Sequence, residues 1–100
     1  MKVSIPNQRR VIAFYGPDAQ SRVHMEECAE LIQAISKMRR AQNRSPEIRE
    51  IAFSNLIEEL ADVLISMEQI MEMYDISNPE LQAEIERKVR RQEERMHDDV

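Results

Sequence analysis

Apolar residues recur at steps of three and four through most of the chain, which is the spacing of one face of an α-helix. The strongest example runs from Pro46 to about Tyr74. Its apolar positions are Ala52, Leu56, Leu60, Val63, Met67, Ile70 and Tyr74. Other apolar residues between them, such as Ile57 and Ile65, widen the apolar arc beyond one face. A helix of this kind is expected to be buried on several sides, which favours a subunit interface.

Three further helices are predicted on either side of this one. A short helix covers about residues 7–15, and Gly16 is expected to end it. Pro17 then fits the first turn of a second helix that runs to about Arg40. Its apolar positions are Val23, Leu31, Ile35 and Met38, with Cys28 between them.

Loop signals separate the later helices. Residues 41–46 form a loop in which Ser45 is a plausible N-cap, and Pro46 takes the first position of the third helix. A second break covers residues 75–78, and Pro79 opens a fourth helix that is rich in charge. The tails at 1–6 and 97–100 are expected to fray.

The composition supports an all-α fold. Glycine occurs once, aromatic residues make up 4% of the chain, and Glu, Arg, Ala, Ile and Met are abundant. We therefore expect one domain over residues 1–100, an antiparallel bundle of about four helices. Because 100 residues support only a modest core, oligomerisation is expected to complete the bundle.

Charge and hydropathy exclude several classes of protein. The net charge of −5 argues against a general nucleic-acid binder. No run of about 18 apolar residues is present, so no membrane span is expected. The N-terminus lacks the apolar region of a signal peptide, which favours a cytoplasmic location. Cys28 is the only cysteine, and a buried structural thiol is the expected role.

A six-residue acidic phrase occurs twice, as EECAEL at 26–31 and EELADV at 58–63. Within it Glu27 and Glu30 are three residues apart, as are Glu59 and Asp62, so each pair shares one helix face. Two such helices packed side by side would bring four carboxylates together. Such a cluster needs a compensating cation, and oxygen ligands suit Mg²⁺ or Mn²⁺. The phrase therefore predicts a metal site.

Two other polar residues follow the same helix stripes. Lys37 continues the stripe of Glu27 and Glu30, and Asn55 precedes Glu59 on its stripe. Phosphate groups are bound by cations and amide donors, so both residues are candidates for substrate binding. The alternative is that all these groups are solvated surface charges, because 33% of the chain is charged.

The motif Glu26-Glu27-Cys28-Ala29-Glu30, followed on the next helix by Glu59-Leu60-Ala61-Asp62, resembles the MazG-like all-α nucleoside triphosphate pyrophosphohydrolases. The stretches EECAELIQAISKMRR and NLIEELADVLISMEQI look like the short stand-alone members of bacteria and phages. The resemblance covers about residues 12–95. It implies Mg²⁺-dependent cleavage of a (d)NTP to (d)NMP and pyrophosphate, a house-cleaning of the nucleotide pool.

The resemblance also implies roles for individual residues. The metal ligands would be Glu27, Glu30, Glu59 and Asp62. The catalytic carboxylates would be Glu26 and Glu27, with Glu26 holding a second ion or orienting the attacking water. On the fourth helix, Lys88 and Arg91 resemble the basic pattern that reaches the triphosphate, although ion pairs with nearby glutamates are the alternative. Related proteins are homodimers or homotetramers.

Other functions stay open at this point. A non-catalytic helical interaction module would use the broad apolar faces and bind no metal. A di-iron carboxylate bundle needs Glu-x-x-His twice. Of the two histidines, His24 does not follow a glutamate by three, so the motif is not repeated. The sequence indicates no preferred base. The aromatic residues Phe14, Phe53 and Tyr74 are candidates for stacking on a base, although packing in the core is the expected role of each.

Overall fold

The computed structural model describes residues 1–99, within which the chain forms four α-helices and no strand. The helices are α1 (Arg9–Tyr15), α2 (Pro17–Ala41), α3 (Pro46–Met73) and α4 (Asn78–Asp98). The predicted all-α fold class is confirmed. The predicted frayed tail at 97–100 includes Val100, which lies outside the described residues, and α4 itself continues to Asp98.

The helix ends follow local sequence signals. Gly16, at a φ of 90° that side chains disfavour, separates α1 from α2. The Ser45 side chain accepts a hydrogen bond from the backbone of Ile48 at 3.4 Å and caps α3, with a proline in the first turn. These two predicted boundaries are confirmed. α4 begins one residue earlier than predicted because Ser77 caps it.

α2 and α3 form an antiparallel hairpin that contains the core. Its interface, called the seam here, pairs the N-terminal part of α2 with the C-terminal part of α3, since Gln20 bonds to Gln69 and His24 to Ser66. The buried residues of the seam are Gln20, Ala34 and Ala41 from α2, and Ala52, Val63, Ser66 and Gln69 from α3. These side chains are small or polar, so the two backbones approach closely and the core is thin.

A chain of side-chain amides attaches the N-terminal segment to the hairpin. Gln20 Nε2 donates to Gln69 Oε1 at 2.9 Å, and Gln69 Nε2 donates to Gln8 Oε1 at 3.1 Å. An ion pair between Arg9 and Glu72, at 2.9 Å, adds a second tie between α1 and α3. Because Gln20 and Gln69 are buried, losing one amide would leave the others without partners inside the protein.

The wide apolar arc of α3 is not buried within one chain. Ile51 is 72% exposed, Phe53 54% and Ile57 52%. The expectation that Phe14, Phe53 and Tyr74 lie in the core is wrong for a single chain, because all three are exposed. A single neighbouring helix covers only one stripe of α3, and the polar stripe faces that neighbour.

α4 stands apart from the rest of the chain. None of its Cα atoms lies within 8 Å of a Cα atom of α1, α2 or α3. Its apolar positions Ile85, Val89 and Met96 are exposed. Within residues 1–99, no helix combines the length and the apolar character needed to cross a bilayer. The described chain is thus a helical hairpin with a short helix at one end and a projecting amphipathic helix.

Candidate functional site

Two rows of residues with seven-residue spacing meet at the seam. Residues seven apart lie on nearly the same side of a helix, since two turns take about 7.2 residues. The α2 row is Gln20, Glu27, Ala34 and Ala41, and the α3 row is Ala52, Glu59, Ser66 and Met73. Glu27 and Glu59 therefore occupy inner positions of the seam, where a packed apolar side chain would normally stand.

Carboxylates from both helices meet at this point. One carboxylate oxygen from each of Glu27, Glu30 and Glu59 lies within 4.8 Å of the others. Asp62 is close enough to Glu27 for their side chains to interact directly. These four residues are called the acidic cluster below. The two acidic phrases of the sequence are thus brought together by the hairpin.

Two oxygens of the acidic cluster are enclosed without a partner. Glu27 Oε2 and Glu59 Oε2 are buried atoms, and neither has a hydrogen-bond partner within residues 1–99. Glu59 is otherwise partly exposed, so only this oxygen is withdrawn from water. Burying a carboxylate oxygen without a partner costs free energy that a bound cation would recover.

The enclosure changes the acidity of these groups. Burial raises the pKa of Glu27 from its ordinary value of 4.5 to about 7, and repulsion from Asp62, Glu30 and Glu59 adds to the effect. Burial also raises the pKa of Glu59, and the close approach of the Glu30 carboxyl group and repulsion from Glu30, Asp62 and Glu58 add to the effect. Desolvation and like charge act in the same direction at both residues.

No Lys or Arg in the described part of the chain forms an ion pair with the cluster. The ion pairs among residues 1–99 join Arg9 to Glu72, Arg22 to Asp18 and Arg87 to Glu84, and none includes a member of the cluster. All the ligand atoms on offer are carboxylate oxygens, the donor type that suits Mg²⁺ or Mn²⁺. With its enclosed, unpartnered oxygens, the acidic cluster fits a divalent cation.

The other predicted site residues lie in three places. Glu26 is exposed on α2, next in sequence to the cluster. Lys37 and Asn55, from different helices, line one cavity of about 410 Å³ near the α2–α3 loop. Lys88 and Arg91 are exposed on α4, which stands apart from the hairpin, so one chain does not bring them to the cluster.

The same cavity contains two arginines that the sequence analysis did not single out. Arg40 and Arg44 line it beside Lys37. The available signal was the basic run at residues 37–44, which has four cations and no acid. Because that run crosses the predicted end of α2, its side chains could not be assigned to one face from periodicity alone.

A second polar contact crosses the seam next to the cluster. Ser66 Oγ donates to the carbonyl of Val63 at 2.9 Å, so it accepts from His24 Nδ1 at 2.5 Å. The other ring nitrogen, Nε2, is then free to accept from the Cys28 thiol at 3.6 Å. His24 and Cys28 are therefore engaged with one another and with Ser66, and neither belongs to the acidic cluster.

Comparison with known proteins yields one match. The family model described as MazG nucleotide pyrophosphohydrolase domain matches residues 16–97, which include α2, α3 and nearly all of α4. No curated protein and no solved structure matches the chain. The matched segment contains every residue of the acidic cluster and the 410 Å³ cavity.

Proposed function

The chain belongs to the MazG nucleotide pyrophosphohydrolase family, and from this premise we propose that it hydrolyses a (d)NTP to (d)NMP and pyrophosphate with a divalent cation. Nucleotide pyrophosphohydrolase activity in general follows from the family. The observation that carries the finer proposal is the acidic cluster, whose enclosed oxygens on Glu27 and Glu59 lack partners. Mg²⁺ is the proposed ion, with Mn²⁺ as an alternative.

The proposed ligands are Glu27, Glu30, Glu59 and Asp62. When bound, the cation would supply positive charge that offsets the triphosphate and stabilises the leaving pyrophosphate. The hairpin sets the positions of the backbone segments that carry these residues, since α2 and α3 pack against each other on both sides of the cluster. Little reorganisation is then needed at the moment of reaction.

The reaction balances without a covalent intermediate. A water oxygen attacks the α phosphorus, the bond from that phosphorus to the α–β bridging oxygen breaks, and pyrophosphate leaves with the bridging oxygen. A carboxylate of the site takes the water proton. Glu26 is the proposed residue that orients the water, because it is exposed and adjoins the cluster, and Glu27 is the second catalytic carboxylate.

Lys37 and Asn55 are proposed to contact the substrate because they line a cavity along the same hairpin. Lys88 and Arg91 are proposed to act from a second copy of the chain. The segment 87–91 carries four cations. The exposed apolar residue Val89 lies among them, and Ile85, also exposed, lies one turn earlier on α4. Such a helix complements a hairpin that has exposed apolar residues and an uncompensated acidic cluster.

A homodimer or homotetramer is therefore part of the proposal. It accounts for the exposed apolar side chains of α3 and for the isolated position of α4. Light scattering coupled to size-exclusion chromatography should give a mass at least twice the chain mass of 11.8 kDa. Elution as a monomer at micromolar concentration would contradict the proposed arrangement.

The activity is tested with a panel of common and oxidised (d)NTPs, including dUTP, by measuring pyrophosphate release with Mg²⁺ or Mn²⁺. Glu30→Gln and Asp62→Asn should abolish release while retaining helicity. Glu58→Gln, one residue outside the proposed ligand set, is the matched control and should retain most of the activity. If wild-type protein leaves every nucleotide intact, the proposed reaction is wrong.

The second candidate is a non-catalytic interaction module, and the exposed apolar side chains Ile51, Phe53 and Ile57 favour it. Calorimetric titration with Mn²⁺ separates the two candidates. Stoichiometric binding that Glu59→Gln removes supports the enzyme, because an interaction module has no need of an oxygen-ligand site. Absence of binding by the wild-type protein favours the module.

A further inference from the structure

A basic pocket lies near the closed end of the α2–α3 hairpin. This is the cavity of about 410 Å³ that contains Lys37, Arg40, Arg44 and Asn55. Its apolar lining consists of the buried alanines Ala41 and Ala52 and the exposed isoleucines Ile48 and Ile51. The pocket therefore combines apolar side chains with three cations and one amide.

The cations of the basic pocket are not neutralised by the protein. Within residues 1–99, none of Lys37, Arg40 and Arg44 forms an ion pair with a carboxylate. Arg40 donates one hydrogen bond to Ser36 Oγ at 2.6 Å, and its other guanidinium N–H groups can donate to a ligand. Most of the described Lys and Arg residues are exposed and unpaired, so what distinguishes Lys37, Arg40 and Arg44 is that all three line one cavity, where their positive charges together favour an anion.

The basic pocket and the acidic cluster lie along the same hairpin. Lys37 follows Glu30 by seven residues, about 10 Å along α2 at 1.5 Å per residue. Asn55 precedes Glu59 by four residues, about 6 Å along α3. A single nucleotide bound at the cluster can therefore extend into the pocket.

Resting on the proposed function, we propose that the basic pocket binds the β and γ phosphates of the substrate and holds pyrophosphate after cleavage. Arg40 and Arg44 are the new binding residues. Guanidinium groups bind phosphate oxygens in pairs of parallel hydrogen bonds. No aromatic side chain lines the pocket to stack on a base, so its chemistry favours the phosphates.

This assignment sets the direction of the nucleotide. With its terminal phosphates near the α2–α3 loop and its α phosphate at the acidic cluster, the nucleoside extends toward the N-terminal part of α2. A competing explanation is that Arg40, in the last turn of α2, only offsets the negative end of the helix dipole. That role affects stability and gives no affinity for an anion.

Calorimetric titration with pyrophosphate, in EDTA and at fixed ionic strength, tests the basic pocket apart from turnover. We expect Arg40→Ala and Arg44→Ala each to weaken pyrophosphate binding about tenfold. Arg44→Lys should restore part of the affinity because it keeps the charge. Arg39→Ala removes a neighbouring α2 cation that does not line the pocket, and should bind as wild type does.

Three results of the titrations would each be enough to overturn the assignment, whatever the hydrolysis assay shows. These are no pyrophosphate binding by the wild-type protein, equal losses in Arg40→Ala and Arg39→Ala, or full competition by a nucleoside monophosphate. Circular dichroism checks that each variant is folded. Selective loss of pyrophosphate binding without any nucleotide hydrolysis would keep the pocket and reject the proposed reaction. Hydrolysis with unchanged KM and unchanged pyrophosphate affinity in both arginine variants would reject the pocket alone.

Discussion

Replacing Glu27 by glutamine should stabilise the metal-free protein at high pH. The pKa of Glu27 is raised from 4.5 to about 7 by burial and by the neighbouring carboxylates. At about 1.36 kcal/mol per pKa unit, the largest expected increase in the free energy of unfolding is on the order of 3 kcal/mol. Glu27 is only half-buried, so solvent screening reduces the expected gain to about 1–2 kcal/mol.

The sign follows from which protonation state the fold prefers. A carboxyl group whose pKa is raised by folding contributes its full stability below its unfolded pKa, near 4.5. That contribution is lost as the pH rises through about 7. Glutamine resembles the protonated form at every pH. The variant should therefore match wild type near pH 4 and exceed it above pH 7.

Thermal unfolding in EDTA, followed by circular dichroism at equal protein concentrations, measures the difference. A gain of 1–2 kcal/mol corresponds to a Tm increase of roughly 5–10 °C at pH 8 for a domain of this length. Glu26→Gln is the matched control, because Glu26 is the exposed neighbour in sequence. If Glu27 is a ligand as proposed, adding Mg²⁺ should reverse the order, since the ion stabilises the protein that retains the Glu27 carboxylate.

A Glu27→Gln variant that is no more stable than wild type at pH 8 in EDTA would refute this reasoning. It would mean that the Glu27 carboxylate is adequately solvated or paired in the folded protein. An equal gain in Glu26→Gln would show that overall negative charge, and not the enclosure of one side chain, sets the pH dependence.

Three further predictions concern packing and capping. Gln69→Leu should lower the free energy of unfolding by about 1–3 kcal/mol in urea titrations, because Gln20 and Gln8 lose their buried partner. An unchanged free energy of unfolding would mean that water replaces the lost amide. Ala34→Leu should cost about 1–3 kcal/mol in the same assay by overpacking the seam, and no cost would show that the seam has spare room. Ser77→Ala should reduce the helicity of α4 and cost about 1 kcal/mol, whereas unchanged helicity would show that α4 forms without its N-terminal cap.

The helices and their order could be predicted because their boundary signals are local. Gly16 with the following proline, and Ser45 with Pro46, each combine a cap with a preferred first residue. The start of α4 was missed by one residue, although Ser77 and Glu80 form the Ser-x-x-Glu pattern of a capping box. Helix-capping signals that involve residues within four positions of each other can be recognised in the sequence.

The interior face of the hairpin could not be predicted from hydrophobicity. The apolar stripe of α3 includes Leu60 and Met67, yet both are exposed, while Ser66 and Gln69 are buried. The cause is that α2 packs on a face of α3 that combines polar residues such as Ser66 with Ala52 and Val63, the two smallest members of the predicted apolar stripe, which allow close approach. The apolar surface of α3 is wider than one neighbouring helix covers, so hydrophobicity alone does not identify the face of α3 that packs on α2.

The acidic cluster shows how much of a candidate site can be predicted from the sequence. The repeated phrase placed Glu27, Glu30, Glu59 and Asp62 on two helix faces, and helix packing brings these faces together. The positions of Arg40 and Arg44 depend on how α2 ends and how the loop turns. Those features involve tertiary contacts, and no periodic pattern encodes them.

The four carboxylates and the basic pocket lie on one uninterrupted stretch of chain, residues 27–62, joined by a short loop. Contacts within such a stretch close small loops, so forming them costs little chain entropy and can happen early in folding. The acidic cluster and the basic pocket are consequently encoded by one continuous segment of the gene. Grafting this segment onto an unrelated helical hairpin of the same register would transfer both features in one step, without Glu26, Lys88 and Arg91, which lie outside it.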